Sequence, residues 1–135
     1  MKKHLLVLIL FTVTLLSFAS CNKDNPQREQ NLLVGTKWCS TYSDYLMVLE
    51  FTSATEVTAY FAKENGVYDS GKTTSPYTLS GNKVTFSDLT LRWIYAYYKF
   101  ETASLDGALL SVSGQYTFNI SSGEWSPWSK TFSKP

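Results

Sequence analysis

Tyr77-Thr78-Leu79-Ser80-Gly81-Asn82-Lys83-Val84-Thr85-Phe86 carries the clearest structural signal in the chain. Tyr77 and Leu79 share one face of an extended chain, and so do Val84 and Phe86, because side chains alternate across a strand with a period of two. Between the two arms, Ser80-Gly81-Asn82 supplies the residues that tolerate the left-handed backbone of a tight reversal. The ten residues therefore read as two antiparallel strands and their turn.

The same grammar extends in both directions. Upstream, Tyr45, Met47, Leu49 and Phe51 fall on one face before Thr52-Ser53. Val57, Ala59 and Phe61 then alternate with Thr58, Tyr60 and Ala62 as far as Asn65-Gly66. Downstream, Ile94, Ala96, Tyr98 and Phe100 alternate along the longest segment, which Asp106-Gly107 closes. Leu110 and Val112 follow, then Gly114, the triple Tyr116, Phe118 and Ile120, the turn Ser121-Ser122-Gly123, and a last strand around Phe132. No window carries a helical period. Of the 115 residues after Ser20, 28 are Ser or Thr and 19 are aromatic, a composition that suits a pleated, half-buried surface. About eight to ten short strands in hairpin succession predict an all-β fold, a small antiparallel up-and-down barrel. A sandwich would need longer crossovers than these turns provide.

The first 20 residues are of another kind. Met1 to His4 are basic, Leu5 to Leu16 form an apolar run broken only by Thr12 and Thr14, and Ser17-Phe18-Ala19-Ser20 precede Cys21. Basic head, apolar middle and small-residue end are the parts of a secretory signal peptide. As a helix, Leu5 to Ala19 would reach about 22 Å, short of a hydrocarbon core about 30 Å thick, so export is expected rather than a membrane span. Without those residues the formal charge of +1 becomes −1, and His4, the single histidine of the chain, is gone. A near-neutral domain has no electrostatic footprint for nucleic acid. Lacking imidazole, it is also not expected to run Ser-His-Asp or Cys-His catalysis, or to hold His-ligated zinc or haem.

Phe18-Ala19-Ser20-Cys21 resembles the lipobox of bacterial lipoproteins. The resemblance implies that Cys21 is lipidated and becomes the mature N-terminus, with two or more acyl chains at about 0.8 kcal/mol per buried methylene anchoring it to a membrane. By the same analogy, Asn22 after the cysteine points to the outer membrane. Residues 21–33 read as a tether, since Asn22 to Asn31 are polar and aperiodic. Residues 34–135 form the folded domain. Gly35-Thr36-Lys37-Trp38 is similar to the Gly-x-Trp that opens lipocalins and related calycins, which implies that Gly35 and Trp38 close one end of the barrel. Leu49-Glu50-Phe51-Thr52-Ser53 with Val57, the hairpin Tyr77–Phe86 and the closing Thr131-Phe132-Ser133-Lys134 look like the small lipocalin-like lipoproteins of Bacteroidetes. That resemblance implies the fold and no ligand.

Few residues suggest chemistry. Cys39 is the one thiol of the folded part and lacks a histidine or basic cluster to activate it, so a structural, buried cysteine is expected. Asp44, Glu50, Glu56, Glu64, Asp69, Asp88, Glu101, Asp106 and Glu124 are scattered and read as solvated surface, although a pair of them 5 to 10 Å apart is all that glycosidase chemistry needs. There is neither a calcium loop nor a phosphate-cradling glycine loop, and no cofactor or metal is expected. The aromatic distribution stands out. If Arg92 to Glu101 is one strand with Ile94, Ala96, Tyr98 and Phe100 inward, then Trp93, Tyr95 and Tyr97 form an outward ladder. Trp125 and Trp128 lie nearby in a segment around Pro127 that reads as a loop. Such flat, amphipathic side chains suit stacking on sugars or anchoring an interface; covering the barrel's own end is the competing role.

The expected protein is an outer-membrane, lipid-anchored, non-enzymatic binding module for a glycan, small hydrophobic ligand or protein partner. Bulky inward side chains leave little cavity, which tilts binding toward the outer surface. The alternatives are a structural component of the cell surface docking another protein through its aromatic face, and a hydrolase with a carboxylate pair.

Overall fold

The computed structural model describes residues 31–63 and 71–135. The signal peptide, Cys21, most of the tether and the Asn65-Gly66 turn lie outside the described residues. The described chain is a closed antiparallel barrel of eight strands in sequence order: β1 (Lys37–Tyr42), β2 (Tyr45–Phe51), β3 (Glu56–Lys63), β4 (Thr73–Ser80), β5 (Lys83–Trp93), β6 (Ala96–Asp106), β7 (Leu109–Thr117) and β8 (Ser126–Ser133), with β8 returning to β1. Three residues of 3-10 helix, Ile120–Ser122, are the only helix among the described residues. The Tyr77–Phe86 hairpin forms as read, with Tyr77 opposite Phe86 and Ser80 opposite Lys83. Gly81 at its tip has φ +59°, the conformation for which glycine is suited.

Alternation fills the interior. Met47, Leu49 and Phe51 of β2, Val57, Ala59 and Phe61 of β3, and Leu110 and Val112 of β7 join one core with Phe132 of β8. Two bulges shift the phase. On β5 the inward positions run Val84 and Phe86, then Leu89 and Leu91, because the register against β6 slips between Thr85 and Leu89 and Asp88 takes φ 55°. On β6 they run Ala96, Tyr98 and Phe100, then Ala103, after a slip between Phe100 and Thr102. Most exposed outward positions of β5 to β8, such as Lys83, Thr85, Ser104, Ser111 and Thr131, are polar, Leu109 and Pro127 being the exceptions.

One end is plugged. Leu33 and Trp38 are fully buried with Phe51 and Val57. The Trp38 indole donates to Thr36 Oγ1 at 2.8 Å, and Gly35, at φ +74°, donates its N–H to the Phe51 carbonyl at 2.8 Å. Asn31 Nδ2 donates to the Tyr77 hydroxyl at 2.7 Å, which itself donates to the Ser53 carbonyl at 2.9 Å. The described chain thus begins at this plugged end.

Barrel closure is thinnest between β1 and β8, which share the single registered pair Cys39 opposite Ser133. Above it, the Lys130 ammonium donates to the Thr41 carbonyl and sits 5.3 Å from the centre of the Tyr42 ring. A cation on a lengthy stem replaces part of a hydrogen-bond ladder there. Pro127, without an N–H, blunts the neighbouring stretch of β8.

Candidate functional site

Among the described residues, the end opposite the plug is built from the β1–β2 turn, the β5–β6 turn and the β7–β8 loop. Its floor is aromatic. Trp93 packs against Phe61 at 4.4 Å and Tyr45 at 4.5 Å between ring centres, and Tyr42 stands edge-on to Phe61 at 5.3 Å. The Tyr42 and Tyr98 hydroxyls hydrogen-bond to each other. Burial, reinforced by that bond, pushes the Tyr98 hydroxyl far above the usual tyrosine range. Tyr116 lies beside Tyr98 at 6.2 Å. These rings occupy the axis of the barrel beneath the rim.

Above the floor, apolar side chains stand in water. Ile94 is 59% exposed and Tyr95 79%, at the tip of the β5–β6 turn; Phe118 is 70% and Ile120 51%, in the β7–β8 loop. Burial cannot account for these positions; Leu32, Val34 and Leu109 are exposed at the plugged end, but the two aromatic rings exposed among the described residues, Tyr95 and Phe118, both stand at this one. The β5–β6 turn is also strained. Trp93 pairs with Ala96, leaving Ile94 and Tyr95 as a two-residue loop, and Ile94 holds φ 48°. A β-branched residue in that region costs about 1–3 kcal/mol, a cost that tends to be retained where it serves a function.

A groove of about 600 Å³ opens beside this rim. Thr73 at the start of β4, Thr90 and Arg92 on β5, Ile94 on the turn, Tyr97 on β6 and Ile120 of the loop line it. The Arg92 guanidinium lies 5.7 Å from the centre of the Tyr97 ring. A second recess of about 470 Å³ lies between Tyr116, Phe118, Glu124 and Ser126.

The expected ladder is corrected by this turn. Arg92 to Glu101 is not one strand: the chain reverses at Ile94-Tyr95, so Trp93 faces the aromatic floor, Tyr95 projects from the tip, Tyr97 alone lies on the outer wall, and Ile94 is outside the core. Gly123 to Lys130 is likewise not all loop, since β8 begins at Ser126. Trp128 on that strand is a half-buried wall residue. Its indole N–H donates to the Gln115 carbonyl at 2.9 Å and the Lys99 carbonyl at 3.3 Å, and its ring meets Phe100 edge-on at 5.2 Å. Trp125 is half-buried just before β8. The triple Tyr116, Phe118 and Ile120 also breaks, because β7 ends at Thr117 and leaves Phe118 and Ile120 on the rim. Of the residues singled out in the sequence, Tyr95 and Tyr97 belong to the rim and groove, Trp93 supports them, and Trp128 lies in the wall. Ile94, Arg92, Phe118 and Ile120 were missed. For the last two, Asn119 and Gly123 were the available signal: Asn119 caps the short helix through its side chain, and Gly123 ends it at φ 69°.

Cys39 is half-buried on the outward side of β1, rather than in the core. Burial raises its thiol pKa against the weaker pull of Lys37, the wrong direction for a nucleophile. Beside it, Tyr60 donates to Glu50 at 3.2 Å and Lys37 lies 3.9 Å from the same carboxylate. No group of three or more His, Cys, Asp or Glu side chains comes together among the described residues.

The fold is an eight-stranded, antiparallel closed barrel, consistent with the lipocalin-like architecture expected from Gly35 and Trp38. No family model, curated protein or solved structure matches the chain.

Proposed function

We propose that this protein is a lipid-anchored, non-enzymatic binding module of the cell envelope that takes a glycan on the open rim of its barrel. The observation that carries this reading is the cluster of exposed Ile94, Tyr95, Phe118 and Ile120 at one end, around a groove, above an interior already occupied by aromatic rings. A filled interior leaves the outside for ligand, and an exposed tyrosine ring with flanking apolar groups offers sugars the flat, partly apolar surface they stack on. The anchor rests on the lipobox-like Phe18-Ala19-Ser20-Cys21.

Two experiments test the two halves. Radiolabelled fatty acid should enter the full-length protein in a bacterial host and be lost with Cys21→Ser; equal labelling of that variant refutes the anchor. The double variant Tyr95→Ala, Phe118→Ala should keep its fold and lose retention on immobilised oligosaccharides. Retention equal to that of the unaltered protein refutes the rim.

A further inference from the structure

The groove beside the rim has a chemistry of its own. Arg92 projects from the outer face of β5 and is exposed, and among the described residues no carboxylate pairs with it or lines the groove. Lys72, whose ammonium lies 4.8 Å from the centre of the Tyr60 ring, also lines the groove at the β4 side. The Thr73, Thr90 and Tyr97 side chains bring hydroxyl groups, and Ile94 and Ile120 bring apolar flanks. The volume, about 600 Å³, lies within the range of small-ligand sites.

We propose that this groove is an acidic-sugar subsite, which takes a uronate residue of a glycan and pairs its carboxylate with the Arg92 guanidinium. The assignment rests on the reading of the rim as a glycan-binding end. A guanidinium presents a planar fork of donors that matches a carboxylate with two parallel hydrogen bonds. Stacking on Tyr97 keeps that fork in place and leaves its outer edge for a ligand. Threonine hydroxyls at 73 and 90 are matched to sugar hydroxyls, which both donate and accept. Ile94 and Ile120 are matched to the C–H face of a pyranose. A bare inorganic anion would use the arginine and leave the rest of this lining without a partner.

The test is a titration of the isotope-labelled domain, residues 21–135, with trigalacturonate, its carboxyl-reduced neutral trisaccharide and inorganic phosphate at matched ionic strength, followed by amide chemical shifts. Trigalacturonate should shift the amides of Thr90, Arg92, Ile94 and Tyr97. Arg92→Gln should weaken it about tenfold or more, the loss of one charge-assisted contact, with Arg92→Lys in between. Arg92 is exposed, so both variants should keep the unfolding temperature of the unaltered domain. The neutral trisaccharide and phosphate should each bind more weakly than trigalacturonate. Phosphate binding equal to that of trigalacturonate overturns the saccharide assignment. Unchanged trigalacturonate affinity in Arg92→Gln, shifts confined to another face, or no shift with trigalacturonate overturns the subsite. If a neutral sugar instead binds and is lost with Tyr95→Ala, Phe118→Ala, the rim reading stands and the acidic subsite falls.

Discussion

Gly114→Ala probes how the barrel wall beneath the rim is held. A Cβ on Gly114 would overlap the Lys99 carbonyl oxygen and stand 3.0 Å from the Lys99 carbonyl carbon and 3.2 Å from Phe100 Cα. All three are backbone atoms of β6, so β6 and β7 must part where Gly114 faces Phe100. That movement displaces both carbonyls that accept from the Trp128 indole, those of Lys99 and Gln115. Each hydrogen bond contributes about 1 kcal/mol, and overpacking at such a site costs about 1–3 kcal/mol more. The expected loss is therefore about 3–5 kcal/mol. For a domain near 100 residues, each kcal/mol moves the midpoint by about 4–8 °C, which puts the drop above about 12 °C. Urea unfolding followed by tryptophan fluorescence and by circular dichroism measures it. Trp128→Phe alone removes the same two hydrogen bonds and should cost about 2 kcal/mol. The double variant should then be more stable than the sum of the two losses implies, with a coupling of about 1–2 kcal/mol. A Gly114→Ala loss under about 0.5 kcal/mol, or strict additivity, refutes the reasoning and returns Trp128 to the candidates for ligand contact.

Three further outcomes follow from the same geometry. Tyr98 has a folded-state pKa raised by burial and by its bond to Tyr42, so its contribution to stability is complete below the ordinary tyrosine value of 10.0 and is lost as pH rises through the folded value. Unfolding free energies between pH 8 and 12 should fall above pH 10, and less steeply in Tyr98→Phe; identical slopes contradict the buried pair. Lys130→Met keeps the apolar stem but deprives the Thr41 carbonyl of its donor and the Tyr42 ring of its cation, and should lower stability by about 1–2 kcal/mol in urea titrations. An unchanged midpoint would show that the β1–β8 seam does not depend on it. Ile94→Asn places a residue tolerant of positive φ at the strained turn and should raise the melting temperature while weakening glycan binding; a lower melting temperature argues against strain at Ile94.

Much of the fold was legible because hairpin chemistry is local. Gly81 and Gly107 mark two turns, and both take positive φ. The β5–β6 turn carried no such mark. Trp93-Ile94-Tyr95-Ala96 contains no glycine, proline, asparagine or aspartate, so alternation ran through it unbroken and a hairpin read as one strand. The pairing of β5 with β6 imposes the reversal at Ile94 despite its unfavourable backbone, a tertiary effect that no short window contains. The irregularities near Asp88 and Glu101 were hidden for the same reason: three residues of β5, Phe86 to Asp88, stand against Glu101 alone, and Glu101 is the extra residue of β6 against β7, neither of which alternation along one strand reports. These omissions decided how the candidate site was drawn. Tyr95 was found as an exposed aromatic, but on a ladder rather than a tip, and Trp93 was placed on the wrong side of the wall. Arg92 and Thr90 were passed over because a groove depends on how neighbouring strands and loops stand to one another, which alternation along one strand does not report.

The most direct test of the account is binding of the purified domain to an immobilised panel of neutral and acidic oligosaccharides. It should compare the unaltered domain with Tyr95→Ala, Phe118→Ala at the rim and with Leu109→Ala, an exposed apolar residue of the β6–β7 hairpin at the plugged end. The domain and the Leu109 variant should bind the same glycans with the same affinity, while the rim variant, equally stable, should bind none. Binding that survives in the rim variant, or a domain that retains no glycan, contradicts that expectation.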